Sequence, residues 1–218
     1  MLSKEVETYI ESLIPTRSAL IQEMEQYAKD HQVPIMELIG IETLLQLLRI
    51  QQPKSILEIG TAIGYSAVRM ATAVPHARIV TVERDQERYD KALSFIAKAN
   101  KTQQIHVLFG DAFELTEAIR SKAPYDMIFI DAAKGQYQKF FELFEPLLSH
   151  DGIIISDNVL FKGYVAQEEG TIETKRIRSL TAKIKKYNDW LMNHPKFDTM
   201  ILPIGDGIAI TKRRGEEK

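Results

Sequence analysis

The sequence predicts an α/β fold, a doubly wound, mostly parallel, seven-stranded Rossmann-like sheet with a helical N-terminal cap and an antiparallel last strand. Three observations carry this. Apolar residues before position 53 recur at helical spacing, short apolar runs after Ser55 alternate with helix-like segments, and a Pro/Gly-rich turn joins the last two runs.

The cap comes first. Ile10, Leu13 and Ile14, then Leu20, Ile21 and Met24, lie three or four residues apart, and Pro15 and Pro34 divide residues 3–50 into two or three helices. From Ser55 the period changes. Apolar runs at 56–59, 79–82, 105–109, 127–130 and 153–155 alternate with helical segments at 64–73, 85–99, 112–121 and 136–148. Buried strands separated by helices form βαβ units, which build a parallel sheet covered on both faces. A helix over 174–193 follows. Strands near 198–202 and 207–212 are then joined through Pro203 to Gly207, a turn that makes them a hairpin on the sheet edge. The expected organisation is one domain over 1–218, with a cap at 1–53, a core at 54–212 and a charged tail at 213–218.

Composition narrows the function. A chain of 218 residues, 44% hydrophobic and 27% charged, is long enough for one substantial core. It has no cysteine, which excludes a disulfide framework, a thiolate nucleophile and a cysteine zinc site. No run of eighteen apolar residues is present, and Glu5, Glu7 and Glu11 stand where a signal peptide would be basic and then apolar, so a cytoplasmic protein is expected. The net charge of −2 gives no global push toward nucleic acid. The amphipathic N-terminal helices offer a surface for a homodimer.

Chemistry gathers at the ends of the apolar runs. The first enters Glu58-Ile-Gly60-Thr-Ala-Ile-Gly64-Tyr65-Ser66, a glycine turn that admits a ligand to the backbone at a helix start. Two glycines fall short of the GxGxxG dinucleotide pattern, and a merely tight βα turn is the plain alternative. The second run ends at Glu83, an acid suited to ribose hydroxyls or simply a solvated strand end. The third ends Gly110-Asp111-Ala112, where Asp111 either caps the next helix or meets an adenine. Parallel strands bring all three to the carboxyl edge of the sheet, where open α/β folds bind ligands.

The fourth run ends at Asp131, followed by Ala132, Ala133 and Lys134, and the fifth at Asp157-Asn158. Two carboxylates and an amide form a hard oxygen set suited to Mg²⁺, or Mn²⁺ in its place, unless each aspartate only caps a helix. None of His31, His76, His106, His150 or His194 lies at metal-ligand spacing. Lys134, beside a cation, becomes a candidate general base, whereas alone it reads as a solvated turn lysine.

The segments LEIGTAIGYS, VERD, GDA, IDAAK, SDN and LPIGDG, in this order, resemble the catechol and caffeoyl-coenzyme A class of metal-dependent O-methyltransferases over roughly residues 34–212. The resemblance implies a methyltransferase sheet and S-adenosyl-L-methionine (AdoMet) contacts from Met36, Gly60, Tyr65, Ser66, Glu83, Asp111, Ala112 and Asp131. It implies metal ligation by Asp131, Asp157 and Asn158, with Lys134 and Asp131 catalytic. Within the class, the N-terminal helices and VPIMELIGIETL look most like bacterial tRNA 5-hydroxyuridine methyltransferases, which make 5-methoxyuridine at the wobble position. The late acidic residue that positions substrate in animal catechol enzymes finds no equivalent. The expected acceptor is therefore the tRNA anticodon loop, with a small catechol-like or phenolic acceptor as the alternative and a non-catalytic AdoMet-binding protein more remote. Residues 159–194 carry a local charge of +3, and Lys162, Lys175, Arg176 and Arg178 are the expected RNA-facing cations.

Overall fold

A computed structural model describes residues 3–168 and 174–215. Three helices come first, α1 (Lys4–Leu13), α2 (Ala19–Asp30) and α3 (Leu38–Gln51). The alternating part follows as β1 (Ser55–Ile59), α4 (Tyr65–Ala73), β2 (Arg78–Glu83), α5 (Gln86–Lys98), β3 (Ile105–Phe109), α6 (Thr116–Arg120), β4 (Tyr125–Ile130), α7 (Tyr137–Phe144) and β5 (Leu148–Ser156). Helix α8 (Lys175–Met192) and strands β6 (Phe197–Leu202) and β7 (Ile208–Arg213) complete the chain. The seven strands form one sheet in the order β3-β2-β1-β4-β5-β7-β6. β1 to β5 are mutually parallel, and β7 runs antiparallel to both β5 and β6.

Alternation along the central strands divides the core between the two faces. Ile56, Met127, Phe129, Ile153 and Ile155 pack with Met24, Ile41, Leu44 and Leu48 of the cap and with α4 and α5. Leu57, Ile59, Ile128, Ile130 and Ile154 face the aromatic side of α7 and α8, including Phe140, Phe141, Phe144 and Tyr187. Both faces of β1 and β4 are thus dry, which is why those strands read as unbroken apolar runs. Deleting one such side chain, as in Phe129→Ala, costs about 3–5 kcal/mol through lost burial and the cavity left behind.

Helix boundaries follow local chemistry. Ser18, Asp85 and Thr174 cap α2, α5 and α8 by accepting the N–H of the residue three positions on. α3 stops at Gln52, which takes a left-handed conformation directly before Pro53.

Two expected helices need correction. The segment expected at 112–121 is helical only over Thr116–Arg120, because Asp111 first accepts the Phe113 N–H in a side-chain turn at 3.0 Å. The segment expected at 136–148 ends at Phe144, where Pro146 enters a short 3-10 turn, and β5 starts at Leu148 rather than at Ile153. The charged tail is described only through Gly215, so Glu216–Lys218 lie outside the described residues. Among the described residues no helix is long and apolar enough to cross a membrane.

Candidate active site

Backbone pairing continues just past the strand ends and fixes the rim. The Gly60 and Thr61 N–H groups donate to Val82 O, that of Asp131 to Ile59 O, that of Asp157 to Ile130 O, and that of Gly110 to Glu83 O. The carboxyl ends of β1 to β5 therefore deliver Gly60, Glu83, Asp111, Asp131 and Asp157 to one edge. Above that edge lies a cavity of about 700 Å³. Its walls include Met36, Gly60, Ala62, Glu83, Asp111 and Ala112 toward one end, and Asp131, Lys134, Asp157, Asn158, Lys162 and Asp206 toward the other.

Gly60 is where a side chain is impossible. Its φ is +108°, and a Cβ there would lie 2.0 Å from the Asp131 carbonyl oxygen. Gly64, with φ +80°, starts α4, whose first-turn N–H groups lack helical acceptors and suit a polar ligand.

Glu83 lines the cavity and also braces it. One carboxylate oxygen accepts the Ala62 N–H at 2.8 Å, and the other accepts those of Arg84 and Asp85 at 2.9 Å each. A carboxylate has about four lone-pair sites, so capacity remains for a ribose hydroxyl. Asp111 does not cap α6, whose cap position is Leu115 with no side-chain cap bond. One oxygen closes the Phe113 turn, and the other lies 3.6 Å from Arg84 while the residue lines the cavity.

Neither Tyr65 nor Ser66, both expected at the cofactor, is among the residues that line the cavity. The Tyr65 hydroxyl donates to Glu25 at 2.9 Å and accepts from Arg69 at 2.9 Å. Ser66 donates to Glu58 at 2.5 Å. Both side chains turn inward to anchor α4, leaving only their backbone to a cofactor. Glu58 is fully buried and also accepts from Thr81 at 2.5 Å, while Thr81 contacts Thr61 in the turn after β1 at 2.6 Å. Burial pushes its carboxyl up to about 8, against the pull of those two hydroxyl bonds.

At the other end, the Asn158 amide donates to Asp131 Oδ1 at 3.0 Å and to Asp157 Oδ2 at 2.9 Å. Asp157 is 4% exposed. Desolvation raises both carboxyls, and the charge of Asp131 raises Asp157 further. Among the described residues no cluster of three His, Cys, Asp or Glu side chains suits a metal. The donor set is instead two carboxylates and one amide. Such a pair is eased by holding a proton or by a nearby positive charge, and an all-oxygen set is of the kind that suits Mg²⁺ or Mn²⁺.

Lys134 Nζ lies 3.9 Å from Asp206 Oδ2. Burial lowers its pKa, while Asp206, then Asp131 and Asp157, pull it back up. Asp206 also accepts the Lys162 N–H, holding the loop beyond Asn158 against the β6–β7 turn. In the sequence Asp206 is one residue of a turn motif, with no local signature of this side-chain role. Glu37, another unassigned acid on the cavity wall, has its pKa raised by burial and by Asp206. Of the expected basic set, only Lys162 lines the cavity. Lys175, Arg176 and Arg178 are exposed in the first turn of α8, although Leu180 of that helix reaches the wall.

A Rossmann-like sheet with a cleft at its carboxyl edge and an acidic oxygen set beside it suits an enzyme that binds a nucleotide-type cofactor there. Comparison with known proteins specifies it. The profile of the O-methyltransferase family matches residues 11–214, and the chain belongs to that family. It is 30% identical to a caffeoyl-CoA O-methyltransferase of Stellaria longipes, over 97% of this chain and 91% of that one. A solved Staphylococcus aureus structure, named as a candidate caffeoyl-CoA O-methyltransferase, superposes with a TM-score of 0.85 at 37% identity, covering 91% of this chain and 93% of that one. An O-methyltransferase of Bacillus cereus solved with S-adenosylhomocysteine gives a TM-score of 0.81 at 26% identity, covering 96% and 97%. The chain is accordingly an O-methyltransferase of the caffeoyl-CoA type that takes its methyl group from AdoMet.

Proposed function

We propose that this enzyme methylates a hydroxyl standing next to a second oxygen on its acceptor, with a divalent cation held by Asp131, Asp157 and Asn158 and with Lys134 as base. The observation that carries this reading is the meeting of that oxygen set with a half-buried lysine at one end of the cavity lined by Gly60, Glu83 and Asp111. When bound, AdoMet supplies a methyl sulfonium and the cation supplies the Lewis acidity that favours an ionised acceptor oxygen.

The chain's own residues do the rest. Lys134 Nζ accepts the hydroxyl proton, helped by burial that weakens the ammonium. Glu83 accepts from the ribose, and the first turn of α4 offers backbone donors. Ile35, Met36, Phe113 and Phe140 give the cavity apolar walls that exclude water and align a planar ring.

Two acceptors carry such an oxygen pair. A small catechol-like or phenolic acceptor is supported by the activity in the name of the Stellaria longipes relative. The second reading is the wobble 5-hydroxyuridine of a tRNA anticodon loop, whose hydroxyl is vicinal to a ring carbonyl. It is supported by Lys162 on the cavity wall and by exposed Lys175 and Arg176 where α8 approaches the mouth. A homodimer is supported by the stripe of exposed Val6, Tyr9 and Leu13 along α1.

The deciding experiment offers the purified enzyme, AdoMet and Mg²⁺ a caffeoyl or catechol acceptor and, separately, hydroxyuridine-containing tRNA, with mass spectrometry as the readout. Turnover of one acceptor alone selects it. Excess EDTA, or Asp157→Ala with AdoMet binding intact, should abolish turnover, and full activity in EDTA removes the cation from the reading.

A further inference from the structure

The acids on the cavity wall are Glu37, Glu83, Asp111, Asp131, Asp157 and Asp206. All but Glu37 are hydrogen-bonded within the fold. Among the described residues the Glu37 carboxylate makes no hydrogen bond and no ion pair.

Helix chemistry does not account for where this side chain points. Glu37 holds the position before α3, where Ser, Thr, Asp or Asn would accept a first-turn N–H, and it makes no such bond. A negative charge there complements the helix dipole, but that role does not require the carboxylate to turn toward the cavity. It does turn. A Cβ placed on Gly205 would lie 3.6 Å from Glu37 Oε2, so the carboxylate rests against the β6–β7 turn, beside the residue that precedes Asp206. Asp206 directs its own charge inward, to Lys134 Nζ and the Lys162 N–H. Glu37 is left as the unengaged acid of this wall, with the Lys162 side chain as the cation that lines the same end. An acceptor whose two oxygens sit at Asp131, Asp157 and Asn158 extends away from the strand ends and along these walls.

We propose that Glu37 is a specificity-determining residue, whose carboxylate favours acceptors carrying an ammonium beyond the chelating oxygen pair and disfavours those carrying a carboxylate there. This rests on the small-acceptor reading above. An N–H of the ammonium donates to Glu37 in a charge-assisted hydrogen bond, whereas an acceptor carboxylate meets like charge.

The test measures kcat/KM for three catechols with the same ring oxygens: 3,4-dihydroxyphenylethylamine, 3,4-dihydroxyphenylethanol and 3,4-dihydroxyphenylacetate. The full chain is assayed at neutral pH and low ionic strength, with AdoMet and Mg²⁺ saturating, as the parent, Glu37→Gln and Glu37→Lys. The parent should prefer the amine to the acid, with the alcohol between them. Glu37→Gln should reduce the amine-to-acid ratio about ten-fold, the scale for a hydrogen bond to a charged group, and Glu37→Lys should reverse the order. Each ratio compares two acceptors on one preparation, so a partly unfolded variant does not alter it. An amine-to-acid ratio that is the same in the parent and Glu37→Gln overturns the proposal. A parent that methylates none of the three removes the small-acceptor reading and this proposal together, a result distinct from turnover with an unchanged ratio.

Discussion

Lys134 Nζ and Asp206 Oδ2 stand 3.9 Å apart, an ion pair that ties the turn after β4 to the turn between β6 and β7. The carboxylate favours the protonated amine and so works against a base. Asp206→Asn removes that charge while its amide oxygen can still accept the Lys162 N–H. If Lys134 accepts the acceptor proton, the rising limb of kcat/KM against pH moves to lower pH in the variant. An unmoved limb would take Lys134 out of the base role.

Glu83→Ala should weaken AdoMet by about 1.5–3 kcal/mol, the range for hydrogen bonds to a charged group. It should also lower Tm, because the Ala62, Arg84 and Asp85 N–H groups lose their acceptor. Calorimetry on AdoMet together with a melting curve separates the two effects. Unchanged AdoMet affinity with a lowered Tm would make Glu83 a brace for the turn and nothing more.

Charge reversal at the start of α8 separates the two acceptors. Lys175→Glu with Arg176→Glu alters exposed side chains that do not line the cavity. With tRNA, KM should rise strongly and its salt dependence become shallower, since fewer counterions are released on binding. With a small catechol, turnover should hardly change. Equal loss on both acceptors would instead report damage to α8.

Glu58 gives the fold a pH dependence of its own. Its folded pKa is about 8, against a reference of 4.5. A raised carboxyl binds its proton more tightly in the folded state, so its contribution is fully present below 4.5 and is lost as pH rises toward 8. Glu58→Gln keeps a neutral polar group and removes the titration. Urea unfolding between pH 5 and 9 should then show a flatter stability profile in the variant than in the parent. Parallel profiles would show that Glu58 does not carry the effect.

The parts legible in the sequence were those in which burial imposes a pattern. β1, β2 and β4 read as apolar runs because both of their faces are covered, and the first residue after each run, Gly60, Glu83 or Asp131, lies on the rim. β5 begins before its apolar run because its first part, Ser149 to Asp151, is polar and less buried. The insertion of β7 between β5 and β6 follows from long-range pairing that no local period records. The inward turn of Tyr65 and Ser66 depends on Glu25 of α2 and Glu58 of β1, partners on other elements, with Arg69 one turn further along α4. Asp206 was hidden for a similar reason, because a turn aspartate reaches Lys134 only through tertiary folding.

The contact between Gly60 and the Asp131 carbonyl bears on how this enzyme can diverge. The floor under the cofactor and the strand end that carries a candidate metal ligand share one layer of atoms, so enlarging residue 60 must displace Asp131. A larger residue at position 60 would thus be felt at Asp131 as well. The freedom to change acceptors is left to elements outside that layer, the cap around Glu37 and the loop around Lys162, where substitutions can reshape the mouth while leaving the strand ends in place.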